Sequence, residues 1–201
     1  MAFGDKTPYK IIGHVLAAYQ LHYTQSEVLK IDLDCKAPLA LQNYISFSLK
    51  NTAYKASEAA VCENLIYPVL REAWSLYTDE LMLWSHQSIM YDKILRGTPD
   101  YIFTKKSPLG KPVFESPYVA VVEAKLDDFV GGWAQCALEM YTMQKINAQD
   151  EKPIFGIVSN GETWQFASLH GNEFKEHIRS YSIFDLDILH SCLIYILEQC
   201  K

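Results

Sequence analysis

The segment Tyr118-Val119-Ala120-Val121-Val122-Glu123-Ala124-Lys125 reads as a strand, apolar at first and ionisable at its end. Strand side chains alternate, so Val119, Val121, Glu123 and Lys125 are expected on one face and Ala120, Val122, Ala124 and Leu126 on the other. Both faces stay apolar as far as Glu123, the pattern of a strand covered on both sides. Two further strands are predicted before it, over 83–91 and 98–104. The turn-rich Ser107-Pro108-Leu109-Gly110-Lys111-Pro112 separates them from it. After it, 132–148 reads as an amphipathic helix following Gly131-Gly132, with Trp133, Ala137, Met140, Tyr141 and Ile146 on its buried side. A short strand follows over 154–159, and Asn160-Gly161 signals a hairpin turn because both residues tolerate positive φ. A return strand over 163–169 and a terminal helix over 183–199 close the pattern.

Upstream, Ile11, Ile12, Val15, Leu16 and Tyr19 recur at helical spacing and predict a helix over 9–20. Residues 26–33 read as a strand, and 40–49 fit a helix or a strand. A stronger helix is predicted over 57–77, with Ser57 as N-cap and Glu58 in the first turn. Glu58, Cys62, Leu65, Val69 and Ala73 form its stripe, widened by Ile66, Leu70 and Trp74, and Pro68 predicts a kink. The resulting order is that of an α/β protein in the α+β sense: a central mixed β-sheet flanked by helices. The link between the 118–125 and 154–159 strands would be a right-handed crossover.

Composition adds limits to this outline. A chain of 201 residues, 49% of them hydrophobic, suits one domain over 1–201 that needs no disulfide or metal to hold it. The five cysteines are odd in number and widely spaced, which predicts a reducing, cytoplasmic setting. Asp5, Lys6, Lys10 and His14 interrupt what would be the apolar region of a signal peptide. No apolar run approaches the roughly 20 residues that cross a bilayer, so no membrane partner is expected. The net charge of -6 argues against a general nucleic-acid coat. Yet Lys93, Arg96, Lys105, Lys106 and Lys111 bracket Asp100, either as a local track for phosphates or as a solvated hairpin.

The candidate chemistry lies where the buried strand turns polar. Glu123 and Lys125 are about 7 Å apart along one face, and Asp100, after Pro99, comes from a neighbouring strand. Two carboxylates and an ammonium at the edge of a core suit magnesium- or manganese-assisted cleavage of a phosphodiester. Magnesium takes one or two protein carboxylates plus waters and substrate oxygens. Asp100 and Glu123 would be its ligands, together with the backbone carbonyl of Ala124. Lys125, a compact cation, would orient the attacking water and stabilise developing charge. The same residues also admit a plain cross-strand ion pair, with Asp100 beginning a turn.

Pro99-Asp100 followed by Glu123-Ala124-Lys125 resembles the motif of the PD-(D/E)XK nuclease superfamily, and the order of elements over about 57–168 is similar to its core. The resemblance implies a restriction-endonuclease-like fold with N- and C-terminal helical additions. The stretch Ser57-Glu58 through Leu65-Ile66-Tyr67-Pro68-Val69-Leu70 resembles the leading helix of the nuclease domain in type I restriction motor subunits and their stand-alone relatives. There an acid near the helix start joins the site. Glu58 matches it, with Glu63 as a rival. Gln135 resembles a glutamine on the crossover helix; where some relatives carry Tyr four residues later, this chain has Glu139. The implied partner is nucleic acid, DNA foremost, cut by the chain alone, as a homodimer or in a larger protein assembly. A silent nucleic-acid-binding or regulatory module on the same fold is the alternative.

Other residues read more plainly. Asp127 and Asp128 would solvate the turn or cap the following helix. His14, His22, His86, His170, His177 and His190 lack metal-type spacing and read as structural or surface groups. Trp84 and Trp133 are the aromatics to watch for base stacking.

Overall fold

The structure, a computed structural model, describes residues 8–31, 35–148 and 152–201. It is a mixed sheet of eight strands with helices on both faces. The chain begins with α1 (Ile12–Tyr19), β1 (His22–Ser26) and α2 (Leu39–Asn51). A broken helix follows: α3 (Glu58–Val61), a π-turn (Cys62–Ile66) and α4 (Tyr67–Ser75). Next come β2 (Leu81–Ser85), a small hairpin of β3 (Ile89–Met90) and β4 (Arg96–Gly97), then β5 (Tyr101–Lys105) and β6 (Tyr118–Ala124). The helix α5 (Phe129–Asn147) leads to β7 (Ile154–Ser159), β8 (Thr163–His170), β9 (Glu173–His177), β10 (Tyr181–Ser182) and α6 (Leu186–Gln199).

The sheet runs β1-β9-β8-β7-β6-β5-β2, with β10 sharing the β9 side of β8. β6 and β7 pair parallel through α5, and β2, β5 and β6 form an antiparallel meander. All seven residues of β6 are buried, as expected for a strand covered on both faces. Ala120, Val122 and Ala124 face a core shared with α2, the broken helix and α6. Val121 faces the second core, under α1 and α5. The predicted alternation fails at Val119, which joins the first core instead. Phe103 pairs with Ala120 but Thr104 with Tyr118, so Val119 is the extra residue of a bulge.

The helix over 57–77 starts as predicted: Ser57 Oγ accepts a hydrogen bond from the Ala60 N–H at 3.1 Å. Cys62, Leu65, Val69 and Ala73 are buried along the expected stripe. The irregularity attributed to Pro68 is a π-turn, in which the Tyr67 N–H bonds to Cys62 O, just before the residue that has no N–H to give. The ambiguous 40–49 segment is helical; Leu41, Ile45 and Ser48 face inward at helical spacing. In the strand expected over 26–33, only Ser26 is in a strand; 27–31 are irregular, and Asp32 and Leu33 lie outside the described residues, as do Asp5 and Lys6.

At the Asn160-Gly161 turn only Gly161 takes positive φ, 84°. The Asn160 side chain instead accepts hydrogen bonds from the N–H groups of Glu162 and Thr163. Cys62, Cys136, Cys192 and Cys200 are buried thiols outside any disulfide. No helix among the described residues is long and apolar enough to cross a membrane.

Candidate active site

Register brings Asp100, Glu123 and Lys125 together. Tyr101 pairs with Val122, so Asp100, one residue before β5, sits beside Glu123 at the closing end of β6. Asp100 Oδ2 accepts the Ala124 N–H at 2.7 Å, which fixes the carboxylate to the neighbouring strand. Glu123 shares the Val121 face, toward α5. Lys125 leaves the end of β6 with its N–H bonded to Ser159 O at 2.9 Å. Its Nζ reaches back to Glu123 Oε2 at 3.3 Å.

Lys125 reaches Glu123 across the first turn of α5. Asp128 caps that turn by accepting the Gly131 N–H at 2.8 Å, so the helix begins at Phe129 and takes in both glycines. A β-carbon on Gly132 would fall 2.9 Å from Lys125 Cγ and 2.8 Å from Val158 Cγ1. Gly132→Ala is therefore expected to destabilise the protein by about 1–3 kcal/mol through overpacking. Urea unfolding measures this, and an unchanged midpoint would show that the lysine stem can yield.

The α5 side of the site is deeply buried. Glu123 is only 1% exposed, and so is Glu139, one face of α5 above it. The two carboxyl groups are in hydrogen-bond contact, and both are held well toward the protonated form. For Glu123 burial is the main cause, followed by the charge of Glu139 and its hydrogen bond, with Lys125 opposing. Glu139 is pushed up to about 7, chiefly by burial. Two carboxyl oxygens can hydrogen-bond only if one carries a proton. As carboxylates, Glu123 Oε1 and Glu139 Oε2 receive no donor from the protein. Gln135 Nε2 donates to Glu139 Oε1 at 3.4 Å. The backbone of Gly97 closes over the same carboxyl, leaving 2.6 Å between Oε1 and any β-carbon placed there.

Asp100 is half-buried and raised by burial, with the Ala124 N–H, Lys125 and His86 pulling the other way. Burial draws the Lys125 ammonium down, but the negative charges of Glu123, Glu58 and Asp100 outweigh it, and its net direction is up. Glu58 thus acts on Lys125 through its field while its own side chain is exposed. Glu63 is exposed too.

Two residues matter here that the sequence pattern did not select. Glu139 looked like a mere departure from a tyrosine, and its contact with Glu123 depends on how α5 crosses β6. His86 read as structural or surface. Its Nε2 lies 3.6 Å from Asp100 Oδ1, and its N–H bonds to Asp100 O at 3.0 Å. Its backbone is left-handed, with φ of 51°, an uncommon state for a residue with a side chain.

The basic residues divide between the two ends of the sheet. Lys93 and Arg96 are exposed on the β3–β4 hairpin, whose Gly97 rests on Glu139. Lys105 is four residues beyond Tyr101, about 13 Å along the strand; its N–H bonds to Pro117 O at the far end of β6. Lys106 Nζ bonds to Thr78 O at 2.9 Å, and Lys111 lies in the exposed loop before β6. Five cations close in sequence therefore form no single track. Trp133 is buried with its Nε1 on Gln165, and Trp84 is half-buried with its Nε1 on Thr104, so both are structural.

Among the described residues no group of three or more His, Cys, Asp or Glu side chains is placed to hold a metal ion. Of the two expected carboxylate ligands, Glu123 keeps one buried oxygen, Oε1, without a donor, as a residue awaiting a cation would, and magnesium needs only one or two protein carboxylates. Compared with protein-family models and with curated proteins, the chain finds no match.

Proposed function

We propose that this chain is a metal-dependent nuclease of the PD-(D/E)XK kind, hydrolysing phosphodiester bonds of nucleic acid, DNA foremost, in the reducing cytoplasm. The observation that carries the reading is an imbalance of buried charge. Asp100, Glu123 and Glu139 converge at the end of β6, and Lys125 is the cation in contact with Glu123. Buried carboxylates are costly unless paired, so two buried carboxyl groups and the half-buried Asp100 around one ammonium leave room for protons or for a divalent cation.

Magnesium or manganese would be held by Asp100 and Glu123, with the Ala124 carbonyl beside them. In an antiparallel pair a residue's N–H and carbonyl face the same neighbour, and the Ala124 N–H faces Asp100. When bound, the ion supplies Lewis-acid charge and an activated water. The protein does the rest. The Ala124 N–H orients Asp100, and Glu139 with Gln135 positions Glu123. Lys125, anchored on Glu123, offers its ammonium to the negative charge that builds during attack on phosphorus.

A specific observation favours the alternative of a silent binding module. In the structure Glu123 lies against Glu139, and among the described residues no group of three or more His, Cys, Asp or Glu side chains is placed to hold a metal ion. Purified protein is expected to cut supercoiled, nicked or linear plasmid, or single-stranded DNA, with Mg2+ or Mn2+ and not with EDTA. Binding without cutting would favour the silent module, and cutting that appears only with partner proteins would mark a subunit of a larger assembly.

A further inference from the structure

A hollow of about 490 Å3 is walled by His86, whose Nε2 lies 3.6 Å from Asp100 Oδ1. Cys62, Glu63 and Tyr67 line it from the broken helix, and Ser85, His86 and Tyr101 from the sheet. Its size is that of a small-molecule site, and three of its walls are aromatic rings. Tyr101 is buried, and Tyr67 lies nearly parallel to it, with ring centroids 6.0 Å apart and planes 22° from parallel. Tyr67 is still 38% exposed. The His86 ring is 6.2 Å from Tyr101. The left-handed backbone of His86, tied to Asp100 O, turns this wall toward the carboxylate.

A second hollow, of about 290 Å3, continues from the first. Tyr67 and Glu63 border both, and beyond them lie Tyr44, Arg71 and the Glu72 carboxylate. Tyr44 is 46% exposed. Two adjoining hollows with a tyrosine between them and a cation in the outer one match successive bases of a single strand, because stacking on exposed aromatic faces requires bases that are not paired. The Glu63 carboxylate repels a phosphate but accepts a hydrogen bond from the N–H edge of a base.

We propose that the inner hollow is a subsite for an unpaired nucleotide next to the scissile phosphate, stacked on Tyr67 and read at its edge by Glu63. Resting on the nuclease reading, this names the substrate class: nucleic acid with an unpaired stretch, either a free single strand or the frayed end of a duplex.

The test uses oligonucleotides carrying 2-aminopurine, whose fluorescence is quenched by stacking, titrated with the full chain in EDTA, and in parallel a cleavage assay in Mg2+. Three probes are compared: a single strand, a duplex with an overhang and a blunt duplex. Wild type should bind and quench the first two and bind the blunt duplex weakly; whichever of the two it binds more tightly identifies the source of the strand. Tyr67→Ala should weaken single-strand binding about tenfold or more, while Tyr67→Phe, which keeps the ring, should bind like wild type. Equal binding by Tyr67→Ala, or tight binding of the blunt duplex, overturns the subsite. Tyr67-dependent quenching without cleavage upholds the single-strand subsite and favours the silent binding module over a nuclease that acts alone.

Discussion

Lys125→Ala is expected to lower turnover about a hundred- to a thousand-fold, the usual cost of one preorganised charge donor, while divalent-cation binding persists. The ammonium is set against Glu123, but its proposed work is on charge that exists only during reaction, so its loss falls on kcat. Asp100→Asn should behave differently. The amide keeps the shape and can still accept the Ala124 N–H, yet it lacks the ligand charge, so metal affinity should fall together with rate. Calorimetric titration with Mn2+ alongside single-turnover cleavage separates the two variants, with circular dichroism confirming that each is folded. Cleavage by Lys125→Ala at the wild-type rate would remove the lysine from the mechanism.

In EDTA the protein should lose stability as pH rises, and Glu139→Gln should restore much of it. Glu139 is raised from its ordinary 4.5 to about 7, mainly by burial. Between those values the folded protein binds more protons than the unfolded chain, so the unfolding free energy falls with increasing pH. A shift of this size corresponds to about 3 kcal/mol lost between pH 4.5 and 7. Glutamine cannot ionise, and its amide can donate to Glu123. Its advantage over wild type should therefore be about 1–3 kcal/mol at pH 8 and vanish near pH 5. Glu123, also raised by burial, should leave some pH dependence in the variant. Urea unfolding at several pH values gives the comparison. Parallel stability profiles for the two proteins would show that the carboxyl pair does not share its proton.

These expectations grew from elements that were legible to different degrees. β6 and β7 follow from short runs of apolar residues, and the tight turn after β7 follows from Asn160-Gly161, because these signals are local. The N-terminus of the broken helix was legible for the same reason: Ser57 caps through its own side chain. β9 was not foreseen. Its residues Glu-Phe-Lys-Glu-His hold one apolar side chain, buried Phe174, and its strand character comes from pairing with β8 and β1. The bulge at Val119 is equally silent in sequence, since it arises from a mismatch between two strands.

The amino-acid sequence by itself determined the mixed sheet, the two-faced burial of β6 and the placing of Asp100, Glu123 and Lys125 at the ends of adjacent strands. Those features rest on alternation, capping and turn chemistry, which act over a few residues. Only the tertiary structure decided that Glu139 meets Glu123, that His86 flanks Asp100, and that the lysines around Asp100 separate to opposite ends of the sheet. Such contacts depend on where α5 crosses β6 and on the length of β5. Packing sets the first, and the strand rise converts the four residues from Tyr101 to Lys105 into about 13 Å of separation.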